Sequence, residues 1–219
     1  MIPLSDENPR SIIPIVTWSL IAANVLAFIW EITTPLYLDE IVYQYGFIPV
    51  LGLQNLFDLR IFTSMFLHAD PFHIIGNMLY LWVFGDNVED CCGHSSFLIF
   101  YLISGIAGSL TMYLLDPTSP IPAIGASGAI SGVLGGYMLL FPRARIRTVV
   151  FAFYFINFVR VPAFALIGFW FVLQFLYFLY SIGGVTTGVA YAAHVGGFIA
   201  GLALISVFAS RRRRIRRRR

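Results

Sequence analysis

The stretch Gly125-Ala126-Ser127-Gly128-Ala129-Ile130-Ser131-Gly132 sets a serine between glycines at the upper end of an apolar run. A serine hydroxyl is a poor nucleophile until a base takes its proton, so the chemistry this serine could do depends on a histidine within hydrogen-bond reach. The last apolar run holds one, His194, in Ala193-His194-Val195-Gly196-Gly197. Gly128 and Gly132 on one segment, and Gly197 and Gly201 on the other, form two small-x-x-x-small faces that let helix backbones approach closely. Two helices joined along such faces can bring Ser127 and His194 together.

Acyl transfer also needs donors for the oxyanion that forms on an attacked carbonyl. The backbone N–H of Ser127 qualifies if a helix starts there, because first-turn amides are unpaired and the dipole is positive. His73 and Asn77 are four apart, hence on one helix face, and supply two further donors. Asn77 taken alone fits a polar contact between helices equally well. His68 suits a hydrogen bond to a loop or to water nearby, and His94 has no place in the chemistry. No Asp or Glu falls at the depth of Ser127 and His194 in any predicted helix, so the base would work in a dyad without a carboxylate.

The elements that must position these groups are membrane spans. The chain has 219 residues, 58% hydrophobic and 11% charged, with a mean hydropathy of +0.81. That excludes an ordinary soluble globule, in which about 25% of residues are charged. Apolar runs near the roughly 20 residues needed to cross a bilayer predict a multi-pass membrane protein. The predicted helices cover about Pro14 to Glu31, Phe72 to Asp86 (reaching toward Glu89), Phe97 to Leu115, the stretch from the serine motif to just before Pro142, Ala163 to Tyr180, and Val189 to Ser210. Leu36 to Asp70 reads as short helices and loops at an interface, and Thr148 to Arg160 as an interfacial or re-entrant piece. Ser181 to Gly188 reads as a glycine-rich turn.

All 14 basic residues are arginine, and eight of them lie in the run from Arg211 to Arg219. With the cluster Arg143, Arg145 and Arg147 they mark cytoplasmic ends, which places both termini inside and predicts a cell membrane protein. A basic run after an apolar helix meets anionic headgroups rather than nucleic acid. The expected organisation is a cytoplasmic segment over 1–13, a membrane domain over 14–210 and a basic tail over 211–219. Ser127 lies sixteen residues before Arg143 and His194 seventeen before Arg211, roughly 24 and 26 Å of helix. Both side chains therefore sit at one height, several ångströms below the outer surface.

On the motifs Thr63-Ser64-Met65-Phe66-Leu67-His68, His73 with Asn77, Gly125-Ala126-Ser127-Gly128 and Ala193-His194-Val195-Gly196-Gly197 with Gly201, the chain resembles the rhomboid family of intramembrane serine proteases. The resemblance covers roughly Arg60 to Leu204. It implies an all-α bundle of six transmembrane helices with a partly membrane-embedded loop between the first two, cutting single-pass or other transmembrane substrates in the lipid bilayer. It further implies Ser127 as nucleophile, His194 as general base and then acid, and His73 and Asn77 as oxyanion partners. Some members carry an aromatic residue four after the nucleophile, stacked on the histidine; Ser131 stands there, and Tyr191 is a candidate substitute.

A catalytically silent relative that binds client helices is the alternative, although both defining residues are present. A transporter is disfavoured by the absence of an internal repeat or paired intramembrane carboxylates. His73 is followed by Ile74, Ile75, Gly76 and Asn77 rather than Glu-x-x-His, which argues against a zinc enzyme. No cofactor or metal is expected.

Overall fold

The computed structural model describes residues 1–52, 58–152, 155–182 and 189–209. Most of the turn expected over Ser181 to Gly188, Ser210 at the expected end of the last helix, and the arginine tail lie outside the described residues. Helix α1 (Ile15–Thr33) is followed by the short helices α2 (Leu38–Tyr45), α3 (Pro49–Gly52) and α4 (Arg60–Thr63) and a 3-10 turn over Ser64–Phe66. Then come α5 (Pro71–Cys92), α6 (His94–Leu115), α7 (Ser127–Leu140), α8 (Ala163–Ile182) and α9 (Tyr191–Phe208). Among the described residues α1, α6, α8 and α9 are long and apolar enough to cross a membrane, and α7 is a shorter apolar helix.

Local chemistry explains where the helices start and stop. Asp70 accepts a hydrogen bond from the His73 amide at 2.9 Å and Pro71 fills the first helical position, so α5 begins with a side-chain cap and a residue that needs no donor. A single residue, Gly93, separates α5 from α6; its φ of +83° is a left-handed turn that glycine adopts without Cβ strain. The first amides of α1 are capped from another helix, since the buried Glu89 of α5 accepts from the amides of Val16 and Thr17 at 2.9 and 2.8 Å. A carboxylate at a helix N-terminus is favoured by the unpaired N–H groups and the dipole.

The centre of the bundle is the seam between α7 and α9. A Cβ on Gly197 would run into the carbonyl oxygen of Gly128, and one on Gly201 into that of Gly132. The two small-residue faces therefore meet, with α6 closing the third side through Ser104 against Gly132. Around this seam Phe100, Tyr101, Val133, Leu134, Tyr137 and Phe198 make a continuous buried core. Apolar side chains such as Leu26 on α1 and Val172 and Leu176 on α8 instead point outward.

The bundle is not purely helical. Where an interfacial or re-entrant piece is expected after the serine helix, the chain forms a hairpin of β2 (Arg145–Ala152) and β3 (Phe155–Pro162). The N-terminal segment supplies a third strand, β1 (Ile2–Asp6), antiparallel to β2. The cause is visible in the residues: Arg145, Arg147 and Val149 alternate with Ile146, Thr148 and Val150, a period of two rich in β-branched side chains. Residues 2–6 are thus held against the strand that follows α7. Asp6 continues the link by accepting from the Tyr137 hydroxyl at 2.7 Å and the Asn87 amide at 2.9 Å.

Candidate active site

Ser127 is the first residue of α7, two residues after Gly125, whose φ of +111° only glycine tolerates well. A Cβ there would also sit 2.7 Å from His73 Nε2 and 3.4 Å from Asn77 Nδ2, so the absent side chain lets α5 close onto the start of α7. The approach is fixed from behind, because the Gly125 amide donates to the Ser64 carbonyl at 2.8 Å and Ala123 and Phe47 exchange backbone hydrogen bonds. These contacts bring the segment between α1 and α5 to the mouth of the site.

His194 lies in the first turn of α9 and its Nε2 stands 2.8 Å from Ser127 Oγ. Its other ring nitrogen, Nδ1, is 2.8 Å from Oε1 of Gln174 on α8. The imidazole is flanked by Trp170, whose ring centroid is 6.1 Å away at 34°, and by Tyr191, edge-on at 6.0 Å and 88°. Ser127, His194, His73, Asn77, Trp170 and Gln174 all line one cavity of about 650 Å³. Its volume is in the range of small-ligand and peptide sites.

The oxyanion candidates face the same space. Asn77 is buried, and its Nδ2 has no hydrogen-bond partner among the described residues. A buried amide donor left unpaired costs free energy unless a ligand or water meets it. His73 Nδ1 accepts from the Ala69 amide at 3.4 Å, which leaves the ring proton on Nε2, the atom directed toward Gly125. The Ser127 amide, being in the first turn, has no intrahelical carbonyl to bond.

The supporting residues separate. His68 is buried outside the pair: its amide donates to the Glu31 carboxylate at 3.1 Å, its Nδ1 contacts the Phe66 carbonyl at 3.2 Å, and its ring packs edge-on to His73 at 5.0 Å. Ser131 turns away from the histidine and donates to the Ser127 carbonyl at 2.6 Å. Tyr191 meets His194 by its edge rather than by face-to-face stacking, and Trp170 supplies the more nearly parallel ring. Trp170 and Gln174 have no counterpart in the sequence reading. The signal available there was one amide in an otherwise apolar helix, whose target no spacing rule identifies.

These features define a multi-pass helical membrane protein with a serine–histidine pair lining an open cavity. Residues 58–211 match the Rhomboid domain family, and the chain belongs to that family. It is 36% identical over 155 residues, 66% of this chain, to Rhomboid protein 1, mitochondrial, of Saccharomyces cerevisiae, of which 40% is covered. Rhomboid protease GluP of Bacillus subtilis is 42% identical over 79 residues, 36% of this chain and 15% of that protein. Presenilin-associated rhomboid-like protein, mitochondrial, of Homo sapiens is 28% identical over 133 residues, 59% of this chain and 34% of that protein. The chain thus spans less than half the length of each of these relatives.

Proposed function

We propose that the protein is a serine endopeptidase that hydrolyses peptide bonds in or near transmembrane segments. Ser127 Oγ attacks the carbonyl carbon while its proton passes to His194 Nε2, giving a tetrahedral oxyanion. His73 Nε2, Asn77 Nδ2 and the Ser127 amide donate to that oxygen. As the C–N bond breaks, His194 returns the proton to the leaving amine and an acyl-enzyme remains. Water, giving one proton to His194, attacks the acyl carbon; His194 passes that proton to Ser127 Oγ as the C–O bond breaks, and the carboxylic acid leaves and ionises in water. The observation that carries this reading is the 2.8 Å Nε2 to Oγ contact opening into a cavity lined by an unpartnered amide.

In this reading α1, α5, α6, α7, α8 and α9 are six spans, and the segment between α1 and α5 is partly embedded. Both termini are cytoplasmic, and the site opens toward the outer face of a cell membrane. Substrates are single-pass or other membrane proteins whose helices unwind locally, since a hydrogen-bonded helix presents no free carbonyl to a nucleophile. The test is cleavage of single-pass reporter helices in liposomes by the wild type, Ser127→Ala and His194→Ala. Cutting that disappears in both variants is the expected result. Failure of a serine-reactive phosphonate to label the wild type would favour the silent binding protein.

A further inference from the structure

Helix α8, AFALIGFWFVLQFLYFLYSI, contains one side-chain amide and no ionisable group other than its tyrosines. An amide in so apolar a helix is costly unless it is hydrogen-bonded. Gln174 has its partner across the cavity, on the ring of His194. The partner atom is its carbonyl oxygen, which can only accept.

That polarity decides where the imidazole proton sits. A neutral imidazole has one N–H, and an acceptor 2.8 Å from Nδ1 requires the proton to be there. Nε2 then carries a lone pair, and the proton in its contact with Ser127 must be the hydroxyl proton. This is the direction of transfer a general base needs. Of the other groups about the ring, Trp170 and Tyr191 meet it as rings, and His73 of α5 lines the same cavity without a hydrogen bond to it.

Building on the Ser127–His194 reading, we propose that Gln174 is the positioning residue of this site: its side-chain carbonyl holds the His194 proton on Nδ1 and makes α8 part of the proton-transfer apparatus. During attack the Ser127 proton goes to Nε2, Nδ1–H stays bonded to Gln174 Oε1, and no proton passes to the amide. The Gln174 contact thus does the orienting work of a carboxylate without placing a charge in the bilayer. The bond also joins the base to a helix with much of its surface turned outward; a displacement of α8 by more than about an ångström exceeds hydrogen-bond reach.

The experiment uses the full chain in nanodiscs, as wild type, Gln174→Leu and Gln174→Glu, with unfolding midpoints measured for each. Nitrogen-15 spectra of histidine-labelled protein, with His194 assigned through His194→Gln, read the tautomer directly. The expected wild-type spectrum has the proton on Nδ1, and Gln174→Leu should lose that preference. Turnover of a reporter helix should fall roughly 10- to 100-fold in kcat with KM changed less than about twofold, and Gln174→Glu should recover most of it. A wild-type proton on Nε2, an unchanged tautomer in Gln174→Leu, or a changed tautomer with full kcat would each overturn the proposal. The two failures are distinguishable: absence of Ser127-dependent turnover in the wild type counts against the protease reading, while the nitrogen spectra still decide the role of Gln174.

Discussion

The two ends of the bundle carry buried polar groups of different kinds. At the end carrying β1 to β3, Glu89 is wholly buried and its two oxygens take hydrogen bonds from Val16, Thr17 and His94. Asp6 is likewise held by Tyr137 and Asn87. At the other end Asn77 Nδ2 and His68 Nε2 are buried without a partner among the described residues. Saturated polar groups fasten helices to one another; groups with spare capacity beside a cavity are available to a reacting molecule.

Substitutions at the two ends should break this contrast in different measurements. Ser127→Ala or His194→Ala should remove turnover, a loss on the order of 1,000-fold or more, with the unfolding midpoint nearly unchanged. Asn77→Ala should lower kcat roughly 100-fold, again without destabilisation, and an unchanged rate would remove Asn77 from the oxyanion site. At the opposite end Glu89→Ala should cost on the order of 3 kcal/mol in unfolding free energy, because it leaves the first amides of α1 and the Thr17 hydroxyl unpaired. Full stability in that variant would show that the cap is not needed.

The smallest effect concerns Asp6. Burial pushes its carboxyl up from the ordinary 3.8 to about 6; the Tyr137 hydrogen bond opposes the shift and nearby Asp86 adds to it. Because the folded state holds this proton more tightly than the unfolded state, its contribution to stability is full below 3.8 and is lost as pH rises through about 6. Asp6→Asn should flatten the pH dependence of the unfolding midpoint across that window. A slope identical to wild type would exclude Asp6 as its source.

The helices and the serine–histidine pairing were legible because hydropathy and small-residue spacing are local signals. Ser127 begins α7, as the glycine-rich motif indicates, and Gly128 and Gly132 do meet Gly197 and Gly201. The pairing of β1 with β2 was not legible, because the two lie more than a hundred residues apart; the β2–β3 hairpin did leave a local period-two pattern, masked by the apolar run it shares with α8. Gln174 was hidden for a related reason: its meaning depends on which way α8 faces. Ser131 stands where some family members carry an aromatic ring, and its short hydroxyl bonds its own helix backbone.

With the carbonyls of Gly128 and Gly132 occupying the space where side chains of Gly197 and Gly201 would lie, α7 and α9 have no lateral play and act as a single beam. Ser127 and His194 are mounted on that beam at a fixed separation, so on the proposed protease reading the deformation that admits a polypeptide falls to the other walls, α5 and α8. Because α8 also carries Gln174, bilayers of differing thickness or lateral pressure should change entry and the chemical step together.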